Sequence, residues 1–246
     1  MAWDDLRGGS GAPIRGGQLL DGEGRPVGAP GYGAGGGAPA PTALPRPVVT
    51  IALITLCSLV FVGMVLSGVS IISPRNLQLW QWGANFGYYT VRGQWWRLIT
   101  SAFVHIGLLH LLFNMWCLWR LGFLAELIFG RGKYLAIYLV CAVVSAMASI
   151  AWRPMAASAG ASGAIFGIAG ALLATFYFRK LPLPPSAARP MLRSLVTFAI
   201  VNLAFGSLVP GIDNAAHVGG FACGLVIGAV LPKRQPRVPF TVTSGD

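Results

Sequence analysis

Charged side chains are scarce in this chain of 246 residues. Lys, Arg, Asp and Glu together make up 10% of it and hydrophobic residues 55%, whereas an average soluble domain carries roughly 25% charged residues. The apolar residues are gathered into long uncharged blocks, and the mean hydropathy is +0.66. This composition excludes an ordinary water-soluble globular domain and predicts an all-α polytopic membrane protein.

Acidic residues and cysteines are also few. Seven Asp and Glu stand against 18 Lys and Arg, which gives a net charge of +11. The basic residues lie between the apolar blocks and form no basic face, so nucleic acid is not an expected partner. The four cysteines all fall inside apolar blocks without CxxC spacing. The pattern therefore predicts neither a disulfide framework nor a zinc knuckle.

The first 46 residues contain no long apolar run and are rich in Gly, Ala and Pro. Such a segment buries too little apolar surface to offset its ordering entropy, so we predict a disordered tail over 1–46. It lacks the basic start and short apolar core of a cleavable signal peptide. A membrane domain over 47–232 and a short basic C-terminal tail over 233–246 complete the predicted organisation.

After the first 46 residues, six apolar stretches contain no Lys, Arg, Asp or Glu, and each is 19 to 25 residues long. At a rise of ~1.5 Å per residue, each is long enough to cross a hydrocarbon core of about 30 Å. The sequence therefore predicts six transmembrane helices. They are Val48 to Ile72, Leu98 to Trp119, Tyr134 to Trp152, Pro154 to Phe178, Ser194 to Ile212 and Asn214 to Pro232.

The segment 73–96, between the first and second predicted helices, is too polar to span a membrane and contains seven aromatic residues. Amphipathic aromatic rings favour the headgroup level of a bilayer. The pattern predicts an aromatic-rich structured loop lying in the membrane interface, with a simple aromatic belt as the alternative.

The distribution of basic residues predicts the orientation of these helices. With six spans, thirteen of the 18 Lys and Arg fall on the side of the two termini and four on the other side, while Arg120 lies within the second helix. The positive-inside rule then places both termini in the cytoplasm.

Polar side chains are rare within the predicted spans, and at membrane depth they are costly enough to suggest a function. Three of the spans carry them near the ends that the predicted topology places outside the cytoplasm. They are His105, His110 and Asn114 in the second span, Ser162 in the fourth, and Asn214 and His217 in the sixth.

These residue types permit nucleophilic chemistry. A serine hydroxyl becomes a useful nucleophile when a histidine takes its proton, so Ser162 and His217 form a candidate pair. His110 and Asn114, four residues apart, share one helix face and could donate hydrogen bonds to an oxyanion. Small residues such as Gly163 would let the helices approach closely.

Each of these residues also has a simpler interpretation. Ser162 could be a small packing residue, a histidine could bond a neighbouring backbone group, and three histidines could bind a metal such as zinc. Asp213, four residues before His217, could orient the imidazole as a third catalytic residue. The turn residues Pro210 and Gly211 instead favour Asp213 as the N-cap of the sixth helix.

Four short motifs occur in order along the chain. They are WRL at 96–98, HxxxxHxxxN at 105–114, GASG at 160–163, and AHVGG at 216–220 followed by Gly224. In this order they closely resemble the motifs of the rhomboid family of intramembrane serine proteases. The resemblance extends from about Val48 to Leu231 and implies the basic six-helix bacterial-type form.

The resemblance also implies roles for individual residues. Ser162 would be the nucleophile and His217 its base, acting as a dyad without a metal or cofactor. His110, Asn114 and the Ser162 backbone N–H would form the oxyanion hole. The remaining implied roles are bracing of the second helix by His105, stacking on the imidazole by Phe166 and close packing by Gly160, Gly163 and Gly220. Arg97 and Glu126, which the resemblance places near each other, would be structural.

The function implied is an endopeptidase that cleaves transmembrane segments of other membrane proteins near their extracytoplasmic ends. Its partners would be those substrates and the lipid bilayer of a bacterial cytoplasmic membrane, and the sequence indicates no oligomeric state. The fifth helix would act as a lateral gate. A non-enzymatic protein of the same fold that binds client helices is the main alternative. A transporter is a weaker one, since Arg120 alone supplies an intramembrane charge.

Overall fold

A computed structural model describes residues 14–15, 18–19, 46–178, 183–209 and 211–231. Within these ranges the secondary structure is mostly helical. The helices are α1 (Val48–Leu66), α2 (Asn76–Gln81), α3 (Gly87–Thr90), α4 (Arg97–Thr100), α5 (Leu108–Phe129), α6 (Arg131–Trp152), α7 (Ser162–Tyr177), α8 (Pro185–Leu208) and α9 (Asn214–Val230). The strands are β1 (Ile14–Arg15), β2 (Gln18–Leu19), β3 (Asn85–Phe86) and β4 (Ala157–Ser158).

The chain divides into two compact units, 1–44 and 45–246. Within the first unit, β1 and β2 pair antiparallel, with Ile14 opposite Leu19. Apart from these strands and Arg46, the predicted disordered tail over 1–46 lies outside the described residues, as does the whole basic tail over 233–246. Both therefore stay predictions.

Four helices of the second unit, α1, α5, α6 and α8, are long and apolar enough to cross a membrane. The other two apolar helices, α7 and α9, have 16 and 17 residues, which at ~1.5 Å per residue is shorter than a hydrocarbon core of about 30 Å. The prediction of a helical integral membrane protein is confirmed. The count of six spans stays a prediction.

The second predicted span is displaced along the chain. Helix α5 begins ten residues later than predicted, because the chain turns at Gly107, which has φ 88° and whose Cβ, if present, would lie 2.6 Å from the Ile72 carbonyl oxygen. The motif residue His105 therefore precedes the helix rather than lying in it. At its other end α5 continues past Arg120 and Glu126, which the charge-free criterion had left outside.

Glu126 is buried inside the bundle because its carboxylate caps another helix. One oxygen accepts the Val49 N–H at 3.0 Å, and the other accepts the Thr50 N–H and hydroxyl, each at 2.9 Å. These N–H groups belong to the first turn of α1 and have no partner within that helix. The Arg131 guanidinium lies 3.6 Å away. Glu126 is therefore a structural residue, but it stabilises α1.

The expectation that Glu126 lies near Arg97 is wrong. Arg97 lies in the segment between α1 and α5, where its guanidinium donates to the carbonyls of Trp80 at 2.6 Å and Ala84 at 2.9 Å and to the Gln94 side chain at 2.6 Å. Glu126 lies sixteen positions after His110 along α5, so the carboxylate lies toward the opposite end of the helix from the histidine motif. Arg97 instead holds the aromatic-rich segment together.

The aromatic-rich segment 73–96 is folded, as the short elements α2, β3 and α3 show. Strand β3 pairs antiparallel with β4, which places Asn85 opposite Ser158. The position of the segment in the membrane interface stays a prediction.

Helix α7 forms the centre of the bundle, with 13 of its 16 residues buried. Helix α9 packs along it so closely that a Cβ on Gly220 or Gly224 would fall on the carbonyl oxygen of Gly163 or Gly167. This is the close approach that small residues permit. Helix α8 lies at the edge and buries only Leu195, Ala199 and Gly206.

Candidate active site

Ser162 is the first residue of α7. The predicted start of the fourth span at Pro154 is wrong, because residues 157–158 form β4 and the chain then turns at Gly160, which has φ 125°. The N–H groups of the first helical residues have no intrahelical acceptor and carry the positive end of the helix dipole. The backbone at Ser162 is consequently suited to bind a negatively charged oxygen.

The Ser162 and His217 side chains are in hydrogen-bond contact. His217 Nε2 lies 2.9 Å from Ser162 Oγ, and the imidazole is 7% exposed. The Phe166 ring stacks on the imidazole, with centroids 4.3 Å apart and planes at 7°. Phe166 lies one turn after Ser162, so α7 supplies both the hydroxyl and the surface that orients the histidine.

The other imidazole nitrogen has no carboxylate partner. His217 Nδ1 is buried and lacks a hydrogen-bond partner among the described residues. Asp213 Oδ1 instead accepts the Ala216 N–H at 3.0 Å as the N-cap of α9. The prediction that Asp213 is a helix cap is confirmed.

His110 faces Gly160, two residues before the serine. A Cβ on Gly160 would lie 2.6 Å from His110 Cε1 and 2.9 Å from Nε2, so only glycine admits the ring here. The Ile106 N–H donates to His110 Nδ1 at 3.3 Å. We assign the proton of the neutral ring to Nε2 from this bond, because Nδ1 is an acceptor.

Asn114 lies one turn further along α5 and is 2% exposed. Its side-chain amide donates to the His110 carbonyl at 2.8 Å. An amide group carries two donor hydrogens, so one remains after this bond. His110 and Asn114 therefore offer donors on one side of α5.

His105 connects the segment before α5 to the segment before α7. Its Nε2 accepts the Ala161 N–H at 3.4 Å, and its Nδ1 lies 3.2 Å from the Phe103 carbonyl oxygen. Burial lowers the pKa of His105 to about 3, with a smaller contribution from nearby His110, so the ring is neutral at physiological pH. Both ring nitrogens are engaged, which leaves neither free to bind a metal.

In the part of the chain that the structure describes, no three His, Cys, Asp or Glu side chains are grouped as metal ligands. The three histidines are divided instead: His217 contacts Ser162, and His105 and His110 lie together with ring centroids 5.4 Å apart. The alternative of a three-histidine metal site is not supported by this arrangement.

Sequence reasoning missed two residues that surround the site. Ser145 of α6 is buried against Gly163. A Cβ on Gly163 would fall on the hydroxyl oxygen of Ser145. Phe198 of α8 contacts Phe166 with ring centroids 5.2 Å apart, which connects the edge helix to the ring stacked on His217. The signal for Ser145 was available, since Ser145 and Ser149 are polar residues on one face of a predicted span.

Comparison with known proteins agrees with the motifs. Residues 92–234 match the family model described as the Rhomboid domain. Rhomboid protease GluP of Bacillus subtilis is 37% identical over 187 residues, which is 76% of this chain and 35% of GluP. Rhomboid protease AarA of Providencia stuartii is 30% identical over 190 residues, 68% of this chain and 66% of AarA.

A plant protein gives a similar match. RHOMBOID-like protein 7 of Arabidopsis thaliana is 34% identical over 162 residues, which cover 65% of this chain and 51% of that protein. The chain thus spans between about a third and two thirds of the length of these relatives. Since the family model covers more than half of the chain and includes all four motifs, the chain belongs to the rhomboid family.

Proposed function

We propose that this protein is an intramembrane serine endopeptidase that works through a Ser162–His217 dyad. The observation that carries the proposal is the 2.9 Å contact between His217 Nε2 and Ser162 Oγ at the starts of two tightly packed helices. Two relatives named as rhomboid proteases support the same activity.

The contact supports a defined path for the proton. With the imidazole proton on Nδ1, Nε2 takes the Ser162 hydroxyl proton while Oγ attacks the scissile carbonyl carbon. The tetrahedral intermediate then collapses, the C–N bond breaks, and the imidazolium returns the proton to the leaving amine. Water, activated by His217 in the same way, hydrolyses the acyl-enzyme and regenerates the hydroxyl.

Three donors are available for the oxyanion. The Ser162 N–H lies at the helix N-terminus, His110 Nε2 lies beside Gly160, and Asn114 has an amide hydrogen left after its bond to the His110 carbonyl. Donors that are fixed before the reaction stabilise the developing charge without reorganisation. The orienting role of Phe166 and the bracing role of His105 belong to the same proposal.

The membrane arrangement we propose has six spans, with both termini in the cytoplasm of a bacterial cell. Helices α7 and α9 would cross despite their length, and the ends that carry Ser162 and His217 would lie outside the cytoplasm. The aromatic-rich segment 73–96 would lie in the interface on that side, where Trp95 and Trp96 are 68% and 41% exposed. Both rings could then reach the headgroup level.

The substrates we propose are transmembrane segments of other membrane proteins. The carbonyl groups of such a helix are held in internal hydrogen bonds, so the helix must unwind before attack. Segments with Gly, Pro or other helix-weakening residues near a small scissile residue should be favoured. Helix α8, with only three of 24 residues buried, would move most easily as the lateral gate.

The test is cleavage of a panel of model transmembrane substrates by the purified protein in detergent, with Ser162→Ala and His217→Ala as controls. We expect cleavage by the wild type and loss of cleavage in both variants, since a dyad fails when either member is missing. A fluorophosphonate should label wild-type Ser162. A folded wild type that neither cleaves nor becomes labelled would instead favour a non-enzymatic protein that binds client helices.

A further inference from the structure

A groove of about 520 Å³ lies between the last turns of α7 and α9 and the first half of α8. This end of the bundle is opposite to the end that carries Ser162 and His217, which begin or nearly begin α7 and α9. The groove is lined by aliphatic side chains and two aromatic rings, and those that matter here are Leu173, Tyr177, Leu192, Val196, Val226 and Ala229.

The groove is open to the surroundings of the protein. Tyr177 and Val226 are 69% and 64% exposed, so its walls reach the molecular surface. In a membrane the groove would face lipid acyl chains. An acyl chain is apolar, so it can fill the groove without burying a polar group that lacks a hydrogen-bond partner.

Two arginines lie on the same face of α8 as the groove lining. Arg189, Leu192, Arg193 and Val196 have the spacing i, i+3, i+4, i+7, which places them along one side of a helix. Leu192 and Val196 line the groove, and both arginines are exposed. Two positive charges, about one helical turn apart, therefore lie on the side of α8 that lines the apolar groove.

The membrane domain offers no carboxylate to these arginines. Between 47 and 232 the only acidic residues are Glu126 and Asp213. Glu126 binds the first turn of α1 and lies beside Arg131, and Asp213 caps α9 at the opposite end from the groove. Neither carboxylate of this domain is therefore available to Arg189 and Arg193.

We propose that the groove binds one anionic phospholipid, with an acyl chain against Leu192 and Val196 and the headgroup phosphate on Arg189 and Arg193. Guanidinium groups bind phosphate oxygens through paired, charge-assisted hydrogen bonds. Basic pockets between transmembrane helices on the cytoplasmic side are a known type of lipid headgroup site. The site is separate from Ser162 and His217 and does not depend on catalysis.

The test is native mass spectrometry of the full chain in detergent, titrated with phosphatidylglycerol or with phosphatidylcholine of the same acyl chains. We expect the wild type to retain one phosphatidylglycerol with about a 10- to 30-fold preference over phosphatidylcholine, given the attraction of two arginines for an anionic lipid. Arg189→Gln together with Arg193→Gln should remove that preference.

A matched pair, Arg75→Gln together with Arg153→Gln, removes the same charge from two exposed arginines elsewhere and should keep the preference. Ala229→Phe fills the groove and should weaken retention of both lipids, with thermal unfolding of each variant as the check on folding. Equal binding of the two lipids by the wild type would overturn the proposal. The same holds for an equal effect of the two arginine pairs, or for undiminished binding by a folded Ala229→Phe variant.

Discussion

Gly160 is the residue at which the backbone and the His110 ring constrain each other. Its φ of 125° disfavours a side chain, and a Cβ there would meet the imidazole at 2.6 Å. We expect Gly160→Ala to displace His110 and to lower kcat by about 10²-fold or more, as loss of an oxyanion donor does.

Gly93→Ala is the matched control. Gly93 has a similar φ of 108°, but a Cβ there would meet nothing within 4 Å. Backbone strain should lower the stability of Gly93→Ala by about 1–3 kcal/mol and leave its kcat unchanged. Thermal unfolding and kcat are both measured in detergent. Equal loss of kcat in the two variants would mean that strain, and not contact with His110, is responsible.

Asp213 and Asn114 distinguish a dyad from a triad. Asp213 accepts a backbone N–H as a helix cap, and asparagine caps about as well, so Asp213→Asn should keep most activity. Asn114→Ala removes a proposed oxyanion donor and should lower kcat by about 10²- to 10³-fold, with less loss if His110 compensates. Both are measured on one model substrate. A nearly inactive Asp213→Asn beside a nearly normal Asn114→Ala would indicate a triad and contradict the oxyanion assignment.

At this scale the sequence predicted which side chains would meet but not all of their roles. The approach of His217 to Ser162 was predictable because each motif residue lies near the start of its own helix. The role of Glu126 was not, because a resemblance in sequence identifies a structural residue without its partners. Ser145 was overlooked because a serine in a span is usually a small packing residue.

The contact between α7 and α9 depends on glycine at the element scale. A Cβ on Gly220 would fall on the Gly163 carbonyl oxygen, which belongs to backbone and cannot rotate away. We expect Gly220→Ala to destabilise the protein by about 1–3 kcal/mol, as overpacking does. His217 is three residues from Gly220, and a displacement of about 1 Å at a reacting group can cost about 10²-fold in rate.

Gly132→Ala in α6 is the control for this prediction. Gly132 is also helical, but a Cβ there would meet nothing within 4 Å, so alanine should be neutral or stabilising by up to about 1 kcal/mol. Thermal unfolding and cleavage are measured on both variants. If Gly220→Ala retained activity and stability, the glycine spacing would be incidental to the active site.

The helix boundaries show where a charge-free criterion succeeds and where it fails. It located the end of α6 and the start of α9, where charged or turn residues stop an apolar run. It placed the start of α5 too early, because the uncharged residues before Gly107 form α4 and a turn. It placed the end too early, because the Glu126 carboxylate accepts hydrogen bonds from α1 and so is tolerated inside the bundle. It also misplaced the start of α7, since an uncharged run of small residues forms a strand and a turn as readily as a helix.

At the scale of the whole molecule, the proposed chemistry is useful only if the dyad faces the correct side of the membrane. Arg153 directly follows α6 and lies nine residues before Ser162, so the side on which Arg153 lies is also the side of the active site. Thirteen basic residues lie on the side of the termini and four on the side of Arg153. The positive-inside rule therefore predicts that the side of Arg153 is extracytoplasmic.

Reporter fusions test this orientation. Alkaline phosphatase fused after Arg153 should be active and a fluorescent protein fused there dark, whereas after Lys180 the fluorescent protein should be bright and the phosphatase inactive. Between these two points lies α7, which is shorter than a typical span, so opposite reporter results would also show that α7 crosses the membrane. The same result at both points would remove one span from the proposed six. Reversed results at both points would keep the spans but place Ser162 toward the cytoplasm, where it would attack the cytoplasmic ends of transmembrane substrates.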